Sequence, residues 1–327
     1  MHQLEIFAYF PHGMPKGRIN YRQKHTVTLP VDGPATVDII EDGTKREITV
    51  PFPVYSVDAP LTFAHAYRAE RERRRSPSYN PNELVANLCV FRPDEDSVYW
   101  EENMTDWATI AGVLRPGMVA SLPGKERSRF LRLLAPIAPL GIVESSDGYL
   151  ALGVRGRIHL EGKILPFPAG HPVYDAAQQK METPFQALER LAYTEMGFQL
   201  ESDVKKAMYC IGAVRGTSIP GSWVPAVPFI VESSWTARQL YEGYETAAAR
   251  YENRRFMRLP IDRKQLTALI ENDCRNIVDN GLAALLLYGR FRFGETWYEE
   301  RCQDLTKTYH ATIVETNPFN EFQAGFF

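Results

Sequence analysis

The sequence predicts an α+β protein in which a C-terminal α/β/α sandwich with a mixed sheet follows a mixed α/β N-terminal domain. Three observations carry this expectation. The chain has 327 residues, more than one typical domain. Alternating strand pairs occur twice, each around an Asp-Gly turn signal, once in either half. The second half then alternates strands with amphipathic stretches in an order that suits a sandwich better than a doubly wound sheet.

In chain order, residues 35–40 (ATVDII) and 45–50 (KREITV) read as a hairpin around Asp42-Gly43. A helical stretch follows and ends in the charge run 68–75 (RAERERRR), where Glu70 and Glu72 break up the arginines at spacings of a solvated helix face. The prolines of 76–83 (SPSYNPNE) mark an exposed loop. Residues 87–91 read as a buried strand and 107–114 as a helix stopped by Arg115-Pro116-Gly117. In 121–129 (SLPGKERSR), Gly124 and Lys125 are adjacent without the spacing of a phosphate-binding loop, and an apolar helix is expected over 130–140. Nothing gives residues 1–135 a role.

From Leu140 the texture changes. Residues 141–144 and 149–154 form the second hairpin, followed by 163–173 (KILPFPAGHPV). A helix is predicted over 184–196, with Thr183 as N-cap, Pro184 at its first position and Gly197 ending it. Strands near 207–214 and 224–232 flank the loop 215–223 (RGTSIPGSW). A helix near 235–251, a strand over 254–260 (RRFMRLP) and a final helix from Arg263 complete the pattern. The expected units are 1–135, 140–300 and a C-terminal extension, 301–327.

Lys+Arg number 37 and Asp+Glu 40, a net charge of −3, so there is no global attraction to nucleic acid or anionic membrane, and any phosphate binding is local. The first residues lack a basic segment followed by an apolar core, and no run approaches eighteen apolar residues. A soluble, cytoplasmic protein is expected. Cys89, Cys210, Cys274 and Cys302 form no C-x-x-C pair and read as reduced, inert thiols.

The string 182–198 (ETPFQALERLAYTEMGF) carries the chemistry. It resembles, without a gap, the second part of the Nudix box, whose pattern is Gly-x5-Glu-x7-Arg-Glu-U-x-Glu-Glu-x-Gly-U with U bulky and apolar. Glu182 meets the first glutamate, Arg190 the arginine, Glu195 the last glutamate, and Gly197 and Phe198 the closing pair. Leu191 and Thr194 stand where two further glutamates belong, and Ala192 is a small version of the apolar position. Gly170 fits the opening glycine, with about six extra residues before Glu182. The PFPAGHPV segment is similar to that of divergent members acting on nucleotide sugars, and the resemblance covers about residues 140–297.

The resemblance implies a ligand in which a nucleoside diphosphate is linked to another group, with Mg²⁺ or Mn²⁺ neutralising its pyrophosphate as water attacks. Glu195 and Glu182 are the expected metal ligands, Glu195 and Glu252 the catalytic residues. Gly170, Glu182, Arg190 and Gly197 form the structural box, Arg190 bracing Glu182 or complementing the helix dipole. Positions 191, 194 and 195 share a helix face, so Leu, Thr and Glu leave one carboxylate there. Glu195 also sits near the helix C-terminus, where the dipole disfavours a negative charge. Glu189 could also turn inward, or face solvent.

Arg155, Arg157 and Arg215 are candidates to grip phosphate, against the alternative of surface arginines at strand ends. Trp223 or Tyr174 could stack on a base, or pack in the core. His159 and His171 lack a second ligand at metal spacing and read as structural. The tail 315–327 (ETNPFNEFQAGFF) places four phenylalanines in a polar segment that packs on its own domain or docks into a protein partner. Two readings follow. One is a metal-dependent nucleoside-diphosphate-X hydrolase with a degenerate catalytic helix, the other a catalytically silent fold used as a ligand sensor or protein-interaction module through the N-terminal domain or the tail.

Overall fold

The computed structural model describes residues 3–41, 44–56, 61–76, 82–94, 97–113, 136–156, 160–175, 178–200, 208–216 and 225–315. The N-terminal half contributes β1 (Gln3–Pro15), β2 (Ile19–Leu29), β3 (Thr36–Glu41), β4 (Thr44–Thr49), β5 (Val54–Ser56), α1 (Leu61–Arg74), β6 (Leu84–Pro93), β7 (Val98–Asp106) and α2 (Trp107–Val113). Next come β8 (Ala138–Glu144), β9 (Tyr149–Arg155), β10 (Ile164–Pro166), β11 (Tyr174–Asp175), β12 (Lys180–Met181), α3 (Pro184–Met196), β13 (Tyr209–Gly216) and β14 (Pro225–Glu232). The chain continues with α4 (Ala237–Thr246), β15 (Asn253–Pro260), α5 (Arg263–Asp273), α6 (Asp279–Phe293), α7 (Glu295–Tyr309) and β16 (Thr312–Glu315).

The largest sheet has the order β10-β9-β8-β14-β13-β1-β16, with β15 also on β9. β8 and β14 run parallel, as do β1 and β16, while β13 is antiparallel to both its neighbours, so the sheet is mixed. Alternation along β8 explains its two covered faces. Val143 packs into one core with Phe185, Leu188, Ala192 and Met196 of α3 and Leu240 of α4. Leu140 and Ile142 face the other, with Leu282 and Leu285–Leu287 of α6. The α6 helix is buried from Gly281 to Gly289, as a helix apolar all round must be. The result is an α/β/α sandwich within a mixed α/β protein.

The N-terminal half adds the sheet β5-β2-β7-β6 and the hairpin β3-β4. That hairpin, α1, β6 and α2 stand where the sequence puts them. The arginine run on α1 is in part solvated, as expected, with Arg68, Glu72 and Arg75 exposed, and in part tied down: Arg73 and Arg74 pair with the fully buried Glu70 at 2.6 and 3.0 Å, and Arg71 joins Glu47 at 2.5 Å and the Thr36 carbonyl at 2.8 Å.

The expected division at residues 135–140 does not hold. β1 lies inside the large sheet, Leu4 opposite Gly216 on β13 and Gln3 opposite Thr312 on β16. Its Leu4 and Ile6 enter one core while Phe7 and Phe10 enter the other, so both faces need cover and an internal position supplies it. Val27, Leu29, Trp100 and Met104 of the smaller sheet share a buried cluster with Phe185 of α3. The boundary at 300 falls within α7, and β16 belongs to the sheet; of the expected extension 301–327, residues 316–327, with the Phe-rich tail, lie outside the described residues.

Three further expectations change. The single helix from Arg263 is three, broken at Ile277 (φ −88°, ψ 138°) and at Gly294 (φ +86°). Of the helix expected over 130–140, Ala138–Leu140 are strand, held by parallel pairing with β14, and 130–135 lie outside the described residues. The expected helix near 235–251 ends at Thr246, before a 3-10 turn at Arg250–Glu252. Among the described residues no helix is long and apolar enough to cross a membrane.

Candidate functional site

The site grows from α3. Thr183 Oγ1 accepts the Gln186 N–H while the Gln186 side chain accepts the Thr183 N–H, a reciprocal cap, and Pro184 takes the first position. Gly197 closes the helix at φ +63°, where a Cβ would meet the Gly243 carbonyl at 2.8 Å, so glycine is required both for conformation and for space.

On one side of α3, Arg190 grips Glu182 with two nitrogens, at 2.7 and 2.9 Å, and donates to the His171 carbonyl at 2.9 Å. Glu182 Oε2 also accepts the Val173 N–H at 3.1 Å. Arginine and glutamate together fix the loop 169–173 against the helix through charge-assisted bonds. Of the two parts expected of Glu182, the geometry displays bracing rather than metal ligation, since both oxygens are engaged. The loop's other flank is held by the Ala86 N–H on the Pro172 carbonyl and by His171 Nδ1 at 2.8 Å from the Ile137 carbonyl. Burial drives the His171 pKa down to about 4, and Trp107 meets its ring edge-on at 5.0 Å, so this histidine is a structural one.

Leu191 seats on Gly170: a Cβ on that glycine would lie 2.8 Å from Leu191 Cδ2. The Thr194 carbonyl accepts the Ala249 N–H at 2.7 Å, latching the segment ahead of β15 to the end of α3. That latch brings Glu252 to Glu195. Arg155 Nη1 pairs with Glu252 Oε2 at 3.3 Å, and the Gly156 N–H donates to the Glu252 carbonyl at 2.7 Å.

Glu195 is 2 % exposed. Its Oε2 accepts Asn253 Nδ2 at 3.4 Å, and its Oε1 has no hydrogen-bond partner of ordinary geometry among the described residues. Burial, reinforced by the charge of Glu252, pushes its pKa up to about 8 against the pull of Arg155, the Ala169 amide and Arg190. Asn253 Oδ1 is also buried and has no hydrogen-bond partner among the described residues, over Gly153, where a Cβ would come within 2.7 Å. Thus α3, the 3-10 turn, the start of β15 and the end of β9 assemble Glu195, Glu252, Asn253 and Arg155.

Other candidates lie elsewhere. Arg215 does not join the site: it pairs with Glu5 of β1 at 3.0 Å and lies 5.0 Å over Phe7, with β8 and β14 between its strand and β9. Glu189 faces Lys16 at 3.8 Å. Tyr174 packs edge-on against Phe52 at 5.7 Å. Arg157, His159 and Trp223 lie outside the described residues. Burial pushes the thiols of Cys89 and Cys210 up to about 12, which keeps them protonated and unreactive.

Sequence reasoning missed Asn253, Gly153 and Gly156. Two glycines flanking Val154-Arg155, one in β9 and one just past its end, are the available signal, because glycine at a strand marks close approach by other groups. Among the described residues no group of three or more His, Cys, Asp or Glu converges as a metal-holding set. Compared with known proteins, the chain matches no family model, and no curated protein matches it.

Proposed function

We propose that this chain is a Nudix-like protein that binds a nucleoside diphosphate linked to a second group, together with one divalent cation, and hydrolyses it slowly. The observation that carries the reading is Glu195 Oε1: a carboxyl oxygen buried beside a second carboxylate, with no hydrogen-bond partner of ordinary geometry among the described residues. Such a group is costly to bury unless a ligand completes it. Its donor set fits Mg²⁺ or Mn²⁺, since Mg²⁺ is commonly bound by one or two carboxylates with phosphate oxygens and waters making up the octahedron. Glu195 and Glu252 would hold the ion, which when bound neutralises charge building on the pyrophosphate.

The remaining steps belong to the chain's own residues. Arg155 binds and orients phosphate oxygens. Asn253 fixes the rotamer of Glu195, and the Arg190–Glu182 pair holds the loop 169–173 in place. Glu252, with its side chain 29 % exposed, takes the proton from the water that attacks phosphorus. With Leu191 and Thr194 supplying no carboxylate, turnover is slow.

The seating of Leu191 on Gly170 favours a second reading, a catalytically silent fold that senses the same ligand class. A screen of ADP-ribose, nucleotide sugars, dinucleotides and nucleoside triphosphates with Mg²⁺ or Mn²⁺, run on the wild type and Glu195→Gln, separates the two. Turnover that disappears in the variant supports the hydrolase. Mn²⁺-dependent binding without turnover, lost in the variant, supports the sensor. Neither turnover nor metal-dependent binding sinks both.

A further inference from the structure

The 3-10 turn that carries Glu252 also carries an aromatic ring the fold leaves unused. Tyr251 is 70 % exposed, with no ring contact or side-chain hydrogen bond among the described residues. Its backbone, by contrast, is fixed on both sides. The Ala249 N–H donates to the Thr194 carbonyl at 2.7 Å, the Glu252 N–H to the Ala249 carbonyl at 3.0 Å, and the Gly156 N–H to the Glu252 carbonyl at 2.7 Å. The Tyr251 carbonyl lies so close to Gly156 that a Cβ there would sit 2.4 Å away, which only glycine permits. A tyrosine on a rigid mount offers a large flat face at low conformational cost, having only two side-chain torsions.

The ring is also in the right place. Tyr251 directly precedes Glu252 in the 3-10 turn, and its ring meets solvent. Arg155 and Gly156 are consecutive: the first reaches Glu252, the second abuts Tyr251. A phosphate grip and an open aromatic face are therefore one residue apart on both segments.

We propose that Tyr251 is the stacking platform for a nucleobase whose diphosphate lies on Arg155 beside Glu195 and Glu252. This deepens, and rests on, the nucleoside-diphosphate reading of the site. Stacking tolerates any base because every base has a π face, and it rewards the larger one, so the subsite takes purine nucleoside diphosphates ahead of pyrimidine ones while reading no hydrogen-bond pattern.

Calorimetric Kd values for inorganic pyrophosphate and for ADP, both with Mn²⁺, test this in the wild type, Tyr251→Phe and Tyr251→Ala. A second measurement uses ethenoadenosine diphosphate, whose emission is quenched when its base stacks. The ratio of the pyrophosphate Kd to the ADP Kd should fall about ten-fold in Tyr251→Ala and hold in Tyr251→Phe, with quenching lost only in the alanine variant. Thermal unfolding of the alanine variant should match the wild type, as the side chain is exposed. An unchanged ratio in Tyr251→Ala overturns the platform. Pyrophosphate binding with no ADP advantage in the wild type overturns the platform alone, whereas failure of both probes to bind the wild type removes the diphosphate site and the platform with it.

Discussion

At the end of the large sheet where β8 and β14 finish, Glu144 takes Arg292 on both oxygens and the Tyr288 hydroxyl at 2.7 Å. Glu232 there accepts the Tyr209 hydroxyl at 2.7 Å and Arg292 at 3.4 Å. At the opposite end, where β9 finishes, Glu195 accepts Asn253 at 3.4 Å and its other oxygen has no partner of ordinary geometry among the described residues, while Glu252 pairs with Arg155 at 3.3 Å. Glu144 and Glu195 are almost equally withdrawn from water, at 8 % and 2 % exposed. What separates them is the supply of donors. Glu144, which ties helix to sheet, is saturated, while Glu195 is left short of donors among the described residues.

The strongest way to break this comparison is to starve the saturated end. Arg292→Ala leaves Glu144 and Glu232 without their guanidinium, and with Arg292 itself part-exposed the expected loss is about 3 kcal/mol in urea unfolding. A loss below about 1 kcal/mol would place that network among surface pairs of little worth and undo the contrast.

A third buried glutamate sharpens it. Glu102 is fully buried and accepts Tyr21 at 2.9 Å and Trp100 Nε1 at 2.5 Å, yet burial outweighs both donors and pushes its pKa up to about 8. The unfolded chain releases this proton from pH 4.5 upward while the folded chain keeps it to about 8, so stability falls as pH rises through that window. In Glu102→Gln the amide oxygen still accepts Trp100 and its NH₂ donates to the Tyr21 oxygen. The variant should be more stable than the wild type near pH 8.5 and equal to it near pH 4. Urea unfolding across pH checks this, and a difference independent of pH would show that Glu102 is charged in the fold.

The smallest effect concerns the starved end. Glu252→Gln releases Arg155, so pyrophosphate affinity in the presence of a chelator should rise about five-fold, worth about 1 kcal/mol. The double variant Arg155→Gln/Glu252→Gln should lose that gain. Equal calorimetric affinities in the single and double variants would show that Arg155 is not the phosphate grip.

Local chemistry was legible in the sequence: the caps of α3, both Asp-Gly hairpins, and the spacing that joins Glu182 to Arg190. Distant pairings were not. Arg215 reads as a phosphate ligand until Glu5, 210 residues away, takes it. Asn253 has no motif, because its place beside Glu195 follows from the register of β15 on β9, in which Asn253 meets Arg155. The sequence does mark Gly156, but not what it touches, so nothing in it singles out Tyr251 over Trp223 or Tyr174. The break at 135–140 reflects a change of texture, and texture says nothing of a strand that leaves one half of the chain to pair in the other.

That strand sets how the protein can be cut or inherited. A fragment beginning near residue 136 would carry Glu195, Glu252, Asn253 and Arg155, but β13 would present a bare row of N–H and C=O groups where β1 should lie, and β16 would have no neighbour. An open edge of that kind recruits other chains and leads to aggregation. Any recombination that transplants the site therefore has to bring the first fifteen residues with it.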